Sequence, residues 1–196
     1  MGLEDLNGLG EAAATREFLR CCGSRRWATR MAILRPFADA RTMANAAERA
    51  FEALDRGDWL EAFAAHPKIG AGGAGGTGRA GGVAGGEDGG GGEDGAGGAG
   101  GVAGSSAWSA QEQALVTEAA DVTRQRLAEA NRDYEARFGY IFIVCATGKT
   151  AAETLALLER RLPNDPDAEL RIAADEQRKI TRLRLTKLVA EDRDHN

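Results

Sequence analysis

The chain has 196 residues, 25 Lys and Arg against 30 Asp and Glu, a formal net charge of -5 and a pI near 5.2. An acidic surface disfavours nucleic acid and anionic membranes as main partners, and no apolar run nears the roughly 20 residues needed to span a bilayer. Of the 27 glycines, 20 fall between Gly70 and Gly104; about 160 residues remain outside that stretch, enough for one sizeable core.

The opening MGLEDLNGLG lacks the basic-then-apolar order of a secretory signal. Its Met-Gly start is followed by Leu6 rather than the Ser or Thr that myristoylation requires. Residues 1–10 and 191–196 are therefore read as tails around one domain over 11–190, interrupted by a flexible insertion at 70–105. Cys21, Cys22 and Cys145 form an odd set with an adjacent pair, a poor disulfide framework without metal-ligand spacing. Reduced, intracellular thiols and no metal are expected.

Helical patterns run from Ala12 to Leu19 and from Met43 to Phe63, the second with Ala44, Ala47, Phe51 and Leu54 on one apolar stripe. Between them Ser24 can cap a helix through Trp27, Met31 and Leu34, which Pro36 stops. Asp58 precedes WLEAFAAH, where Trp59, Phe63 and His66 share a face and Pro67 ends the helix. His66 is the sole histidine in the body of the chain, since His195 lies next to last. A buried structural role and a catalytic role on a loop are both open to it.

The stretch from Gly70 to Gly104 carries almost no large apolar side chain and repeats GGED twice. Such a composition cannot offset its own ordering entropy, so a flexible loop is expected. A phosphate cradle is rejected: the stretch has no Lys, and the later Gly148-Lys149-Thr150 has Ile143 where a P-loop needs its first glycine.

Ser109 and Glu112 then form a Ser-x-x-Glu capping box, which competes with any catalytic role for Glu112. The helix continues through Leu127 to a left-handed stop at Gly139. Tyr140 to Ala146 has strand propensity but no strand of comparable quality to pair with, so an extended buried segment among helices, or a helical start, fits better. Thr150 caps the next helix, Pro163 and Pro166 mark a turn, and Asp167 opens the last helix. Its inward stripe holds Ala173, Gln177, Ile180 and Leu188, and the pattern aims Arg184 along the same face. A buried guanidinium needs a partner, so a carboxylate of protein or ligand is expected beside it.

HPKIG, WSAQEQ, N-x-x-Y-x-x-x-FGYIFIVCATGKT and AADEQRKITRLRLTKL occur in that order, with CCGSRRWATRM and WLEAFAAHP upstream. Together they resemble the 2-oxo-4-hydroxy-4-carboxy-5-ureidoimidazoline (OHCU) decarboxylases of urate degradation. The likeness is strongest to the decarboxylase half of a plant fusion that also carries a transthyretin-like hydrolase domain. It covers nearly everything except the Gly-rich stretch and the tails.

The resemblance implies an all-α domain that converts this small-molecule substrate to (S)-allantoin without a cofactor. It maps the catalytic histidine onto His66, the catalytic carboxylate onto Glu112 and the late arginine onto Arg184. Substrate contacts fall on Pro67, Ser109 and Gln113, and on Phe142, Ile143, Val144, Cys145 and Ala146, these last five largely through main-chain groups. A homodimer and a peroxisomal location also follow from it, although the terminal DRDHN is not a peroxisomal address; otherwise the cytoplasm is expected.

The chemistry needs few parts. Carbon dioxide leaves, its electron pair passes into the neighbouring imine, and one face of the enol-like intermediate is protonated. An imidazole suits the proton transfer, Glu112 can orient the substrate, and Arg184 can bond oxygens that gain charge. The long glycine stretch departs from the family pattern. It costs little, because loop-closure entropy grows only by roughly 0.6 kcal/mol per doubling of length. The rival reading is a non-catalytic helical interaction module, in which His66, Glu112 and Arg184 would scatter.

Overall fold

A computed structural model describes residues 1–67 and 103–190, with side chains described for 1–67 and 121–190. Eight helices are described: α1 (Leu3–Gly8), α2 (Glu11–Cys22), α3 (Arg25–Ile33), α4 (Ala40–Glu52), α5 (Arg56–Ala64), α6 (Ala103–Phe138), α7 (Ala151–Arg161) and α8 (Pro166–Ala190). No strand occurs among the described residues, and no described helix is long and apolar enough to cross a membrane. The fold is all-α, as expected. The glycine stretch expected to be flexible lies mostly outside the described residues.

Local chemistry sets several boundaries as read. Ser24 accepts from the Trp27 amide at 3.3 Å to open α3. Thr150 and Glu153 form the capping box of α7, and Gly139, at φ 79°, follows the last residue of α6. Other boundaries differ. The helical pattern over Met43 to Phe63 is two helices, α4 and α5; Asp55 caps the second, and Asp58 closes the box from its third position. The last helix begins at Pro166, a residue whose missing amide costs nothing in a first turn. Asp165 accepts from the amides of Asp167 and Ala168.

The segment 1–10 is not a loose tail. Leu6 is fully buried, and the Asn7 side chain pairs with both main-chain groups of Phe37, each at 2.9 Å. Arg35 gathers the carbonyls of Leu6 and Leu9 at 2.6 and 2.7 Å, so α1 docks through its last turn.

Helix α8 packs against α2, α4 and α5, while α6 and α7 form a hairpin. Trp27 sits at the centre of the N-terminal half, edge-on to Phe18, with its indole N–H on the Ala47 carbonyl at 3.1 Å. That bond ties α3 to α4. On the other side Tyr134, Phe138, Tyr140 and Phe142 cluster, and Phe63 of α5 reaches the Tyr140 ring at 5.2 Å. Apolar burial of this kind is the main drive to fold.

Gly23, at φ +86°, turns the chain between α2 and α3 directly against the end of α5. A Cβ there would lie 2.6 Å from Ala65 Cβ and 3.2 Å from the Ala62 carbonyl. Gly23→Ala is expected to cost about 1–3 kcal/mol from backbone strain alone, with more from the clash, read as a lowered thermal midpoint.

Candidate active site

The end of α5 delivers His66. The Phe63 carbonyl accepts the His66 amide at 3.1 Å, Pro67 follows in an exposed position, and the ring is half-buried. Its Nε2 lies 2.7 Å from Oε1 of Gln177 on α8. Gln177 has no solvent exposure, and its amide nitrogen donates to the Cys22 carbonyl at 3.3 Å and the Thr181 hydroxyl at 3.2 Å. The imidazole therefore sits where α2, α5 and α8 meet.

Arg184 stands at the same junction, two turns along α8 from Gln177. It is half-buried and donates to the carbonyls of Arg20 and Cys21, both at 3.4 Å. The expected carboxylate is not among its described partners. The last turn of α2 supplies carbonyl oxygens and the negative end of a helix dipole instead, which suits a cation.

Burial lowers the His66 pKa below its ordinary value, the Arg184 guanidinium lowers it further, and the Gln177 bond raises it in part. The ring is thus neutral at neutral pH. Because the folded value lies below the unfolded one, this group stabilises the fold above pH about 6.5 and loses that contribution as pH falls through the folded value. Arg184→Met is expected to move the His66 titration upward, as followed by ring proton resonances. Burial also pushes the Cys21 thiol up to about 12, against the opposing pull of Arg184. Burial raises Cys22 as well. Both stay protonated, so neither offers a thiolate.

A cavity of about 310 Å³ opens beside the ring. Its described lining is Leu60, Phe63, Ala64, His66, Glu135, Gly139, Tyr140 and Ile141. Tyr140 to Ala146 carries no regular secondary structure, so the helical start is not found there, and no strand occurs among the described residues to pair with it. Phe142, Ile143 and Val144 are buried, while Cys145 and Ala146 emerge. Several main-chain groups of this segment are already engaged. The Phe142 amide donates to Asn131 Oδ1 at 3.1 Å, and the Ile143 carbonyl accepts from Arg161 at 2.9 Å. The Cys145 amide donates to Glu176 at 2.7 Å, and its carbonyl accepts from Lys149 at 2.7 Å. Burial alone would raise the Glu176 pKa, but bonds from Lys179 and the Cys145 amide outweigh it and hold the carboxyl below its usual range.

Ser109, Glu112 and Gln113 belong to α6, which begins at Ala103. Ser109 is therefore inside the helix rather than its N-cap, and the capping-box role expected for the Ser109–Glu112 pair does not apply at this boundary. The side chains of these three lie outside the described residues.

Three polar side chains at or near this junction were not singled out from sequence as functional. Gln177 had only its place on a buried stripe, where an amide must find partners. Glu135 and Glu176 carried no local signal at all.

A profile of the OHCU decarboxylase family matches residues 7–84 and 96–186. The "Uric acid degradation bifunctional protein TTL" of Arabidopsis thaliana is 35% identical over 175 residues, covering 89% of this chain and 47% of that protein. The 2-oxo-4-hydroxy-4-carboxy-5-ureidoimidazoline decarboxylase of Mus musculus is 40% identical over 79 residues, covering 40% of this chain and 44% of that one. The matches thus span about half the length of these curated relatives. A crystal structure of OHCU decarboxylase in the presence of (S)-allantoin superposes with a TM-score of 0.62 at 35% identity, covering 89% of this chain and 97% of that one. With the profile matching most of its length and its helices superposing on that structure, the chain belongs to the OHCU decarboxylase family.

Proposed function

We propose that this chain is a cofactor-independent carboxy-lyase that converts OHCU to (S)-allantoin. The observation that carries the reading is the meeting of His66 and Arg184 at one junction of α2, α5 and α8, beside a cavity. The likeness to a structure solved with (S)-allantoin supports it.

In this reading the substrate carboxylate leaves as carbon dioxide. Its bonding pair forms a double bond to the adjacent carbon and displaces the imine pair onto nitrogen, which takes up one proton. The resulting enol then loses its hydroxyl proton and gains one at the neighbouring carbon, giving the amide carbonyl and the new stereocentre. A neutral imidazole suits this second step, because it can accept the hydroxyl proton before acting as the proton donor to carbon. Arg184 stabilises oxygen as it gains charge.

Glu112 orients the hydroxyl or ureido groups, with Ser109, Gln113 and Pro67 as further contacts. Along 142–146, the main-chain groups of Phe142, Ile143, Val144, Cys145 and Ala146 not taken by protein side chains complete the set. A homodimer and a peroxisomal site of action extend the proposal by family resemblance. Sedimentation and fluorescent-fusion imaging test those two points.

The lyase test is direct. Urate oxidase and hydroxyisourate hydrolase generate OHCU from urate, and the optical activity of the product is followed. This protein is expected to speed the appearance of (S)-allantoin; an unchanged rate overturns the proposal.

A further inference from the structure

Donor and acceptor chemistry fixes every atom of the Gln177 amide. The Cys22 carbonyl can only accept, so the end facing it at 3.3 Å is the –NH₂. The Thr181 hydroxyl donates its proton to the Gln177 main-chain carbonyl at 2.9 Å, which leaves a lone pair to accept from the same –NH₂ at 3.2 Å. Oε1 must then be the atom 2.7 Å from His66 Nε2. Oε1 has no proton to give, so the hydrogen in that contact belongs to the imidazole. A neutral ring has one N–H; once it is on Nε2, Nδ1 holds the lone pair.

The geometry points to Gln177 as a positioning residue that holds His66 in the Nε2–H form and leaves Nδ1 as the atom exchanging protons with substrate. Gln177 acts through His66, and its catalytic consequence rests on the lyase reading above. Thr181 and the Cys22 carbonyl act one step further out, since they set which way the amide faces. The arrangement has no slack: a flipped amide would put –NH₂ against a ring nitrogen and Oε1 against the Cys22 oxygen, with two acceptors opposed.

The test uses full-length protein labelled with [¹⁵N]histidine, with His195→Asn removing the second histidine signal. The His66 ring is read by long-range ¹H–¹⁵N correlation at neutral pH without substrate. A single Nε2–H form with a slowly exchanging ring proton is expected. In Gln177→Leu that proton should exchange rapidly and the two ring forms should mix. The kcat for OHCU should fall on the order of 10- to 100-fold with KM nearly unchanged, as for a misplaced catalytic group. Thr181→Val, which keeps the Gln177 side chain but removes its hydroxyl acceptor, should act in the same direction more weakly, and it stands in should Gln177→Leu not fold. An Nδ1–H or mixed ring in the unsubstituted protein overturns the proposal, as does an unchanged ring signal in the variants. The ring measurement needs no turnover, so it stands apart from the outcome of the lyase assay.

Discussion

Replacing His66 by Ala is expected to lower the OHCU decarboxylation rate by about 10²- to 10⁴-fold, the range for removing a positioned acid–base group. The spontaneous reaction would then dominate, and the product would lose its optical purity. Measurement of both rate and rotation separates the two effects. His66→Gln should be as inactive, since an amide cannot take up and return a proton at neutral pH. The same substitutions should leave the fold standing, because the ring is only half-buried and its main bond is to one side chain. They should also remove one contribution to acid sensitivity: the fall in thermal midpoint below pH about 6.5 should be shallower than in the parent. Full activity in His66→Ala would sink the assignment of the proton transfer to this residue.

The second large effect is expected in the buried polar network around Glu169. Glu169 is a carboxylate with no solvent exposure. It accepts from Arg161 at 2.8 Å, from Asn164 at 2.7 Å and from the Tyr134 hydroxyl. Burial, joined by that bond to Glu169, drives the Tyr134 pKa upward, so its proton stays in place. Arg161 in turn stacks over the Phe142 ring at 4.6 Å and holds the Ile143 carbonyl.

Arg161→Leu would leave Glu169 charged and short of its cation, and would orphan the Ile143 oxygen. Breaking a buried pair in this way costs about 3–5 kcal/mol. Denaturant unfolding should show that loss, and activity should fall with it because the 140–146 segment loses an anchor. Double replacement Arg161→Leu/Glu169→Leu should recover part of the stability, since two buried charges disappear together, while the Ile143 oxygen stays unpaired. If Arg161→Leu cost under about 1 kcal/mol, the network would be marginal to the fold.

These cases show what sequence can and cannot reveal. Caps announce themselves, because Ser24 and Thr150 act on amides only three residues away. The inward aim of His66 follows from helical spacing to Phe63, which is indeed buried. The want of a strand partner argued against a sheet at Tyr140 to Ala146 but left a helical start open, which the segment does not take.

The misses share a physical cause. Asn7 meets Phe37 and Gln177 meets Cys22 through main-chain groups remote in sequence. A main-chain carbonyl looks the same whatever residue owns it. Arg184 was expected to find a carboxylate, and its described partners are carbonyls of just this anonymous kind.

One helix carries an unusual share of these connections. Within α8, Glu176 holds the Cys145 amide, Gln177 and Thr181 govern the imidazole, and Arg184 closes the end of α2. A single residue inserted between Thr181 and Arg184 would turn everything beyond it by about 100° and carry the guanidinium away from α2. Spacing along α8 must therefore be inherited intact, since one register error there undoes several of these pairings at once.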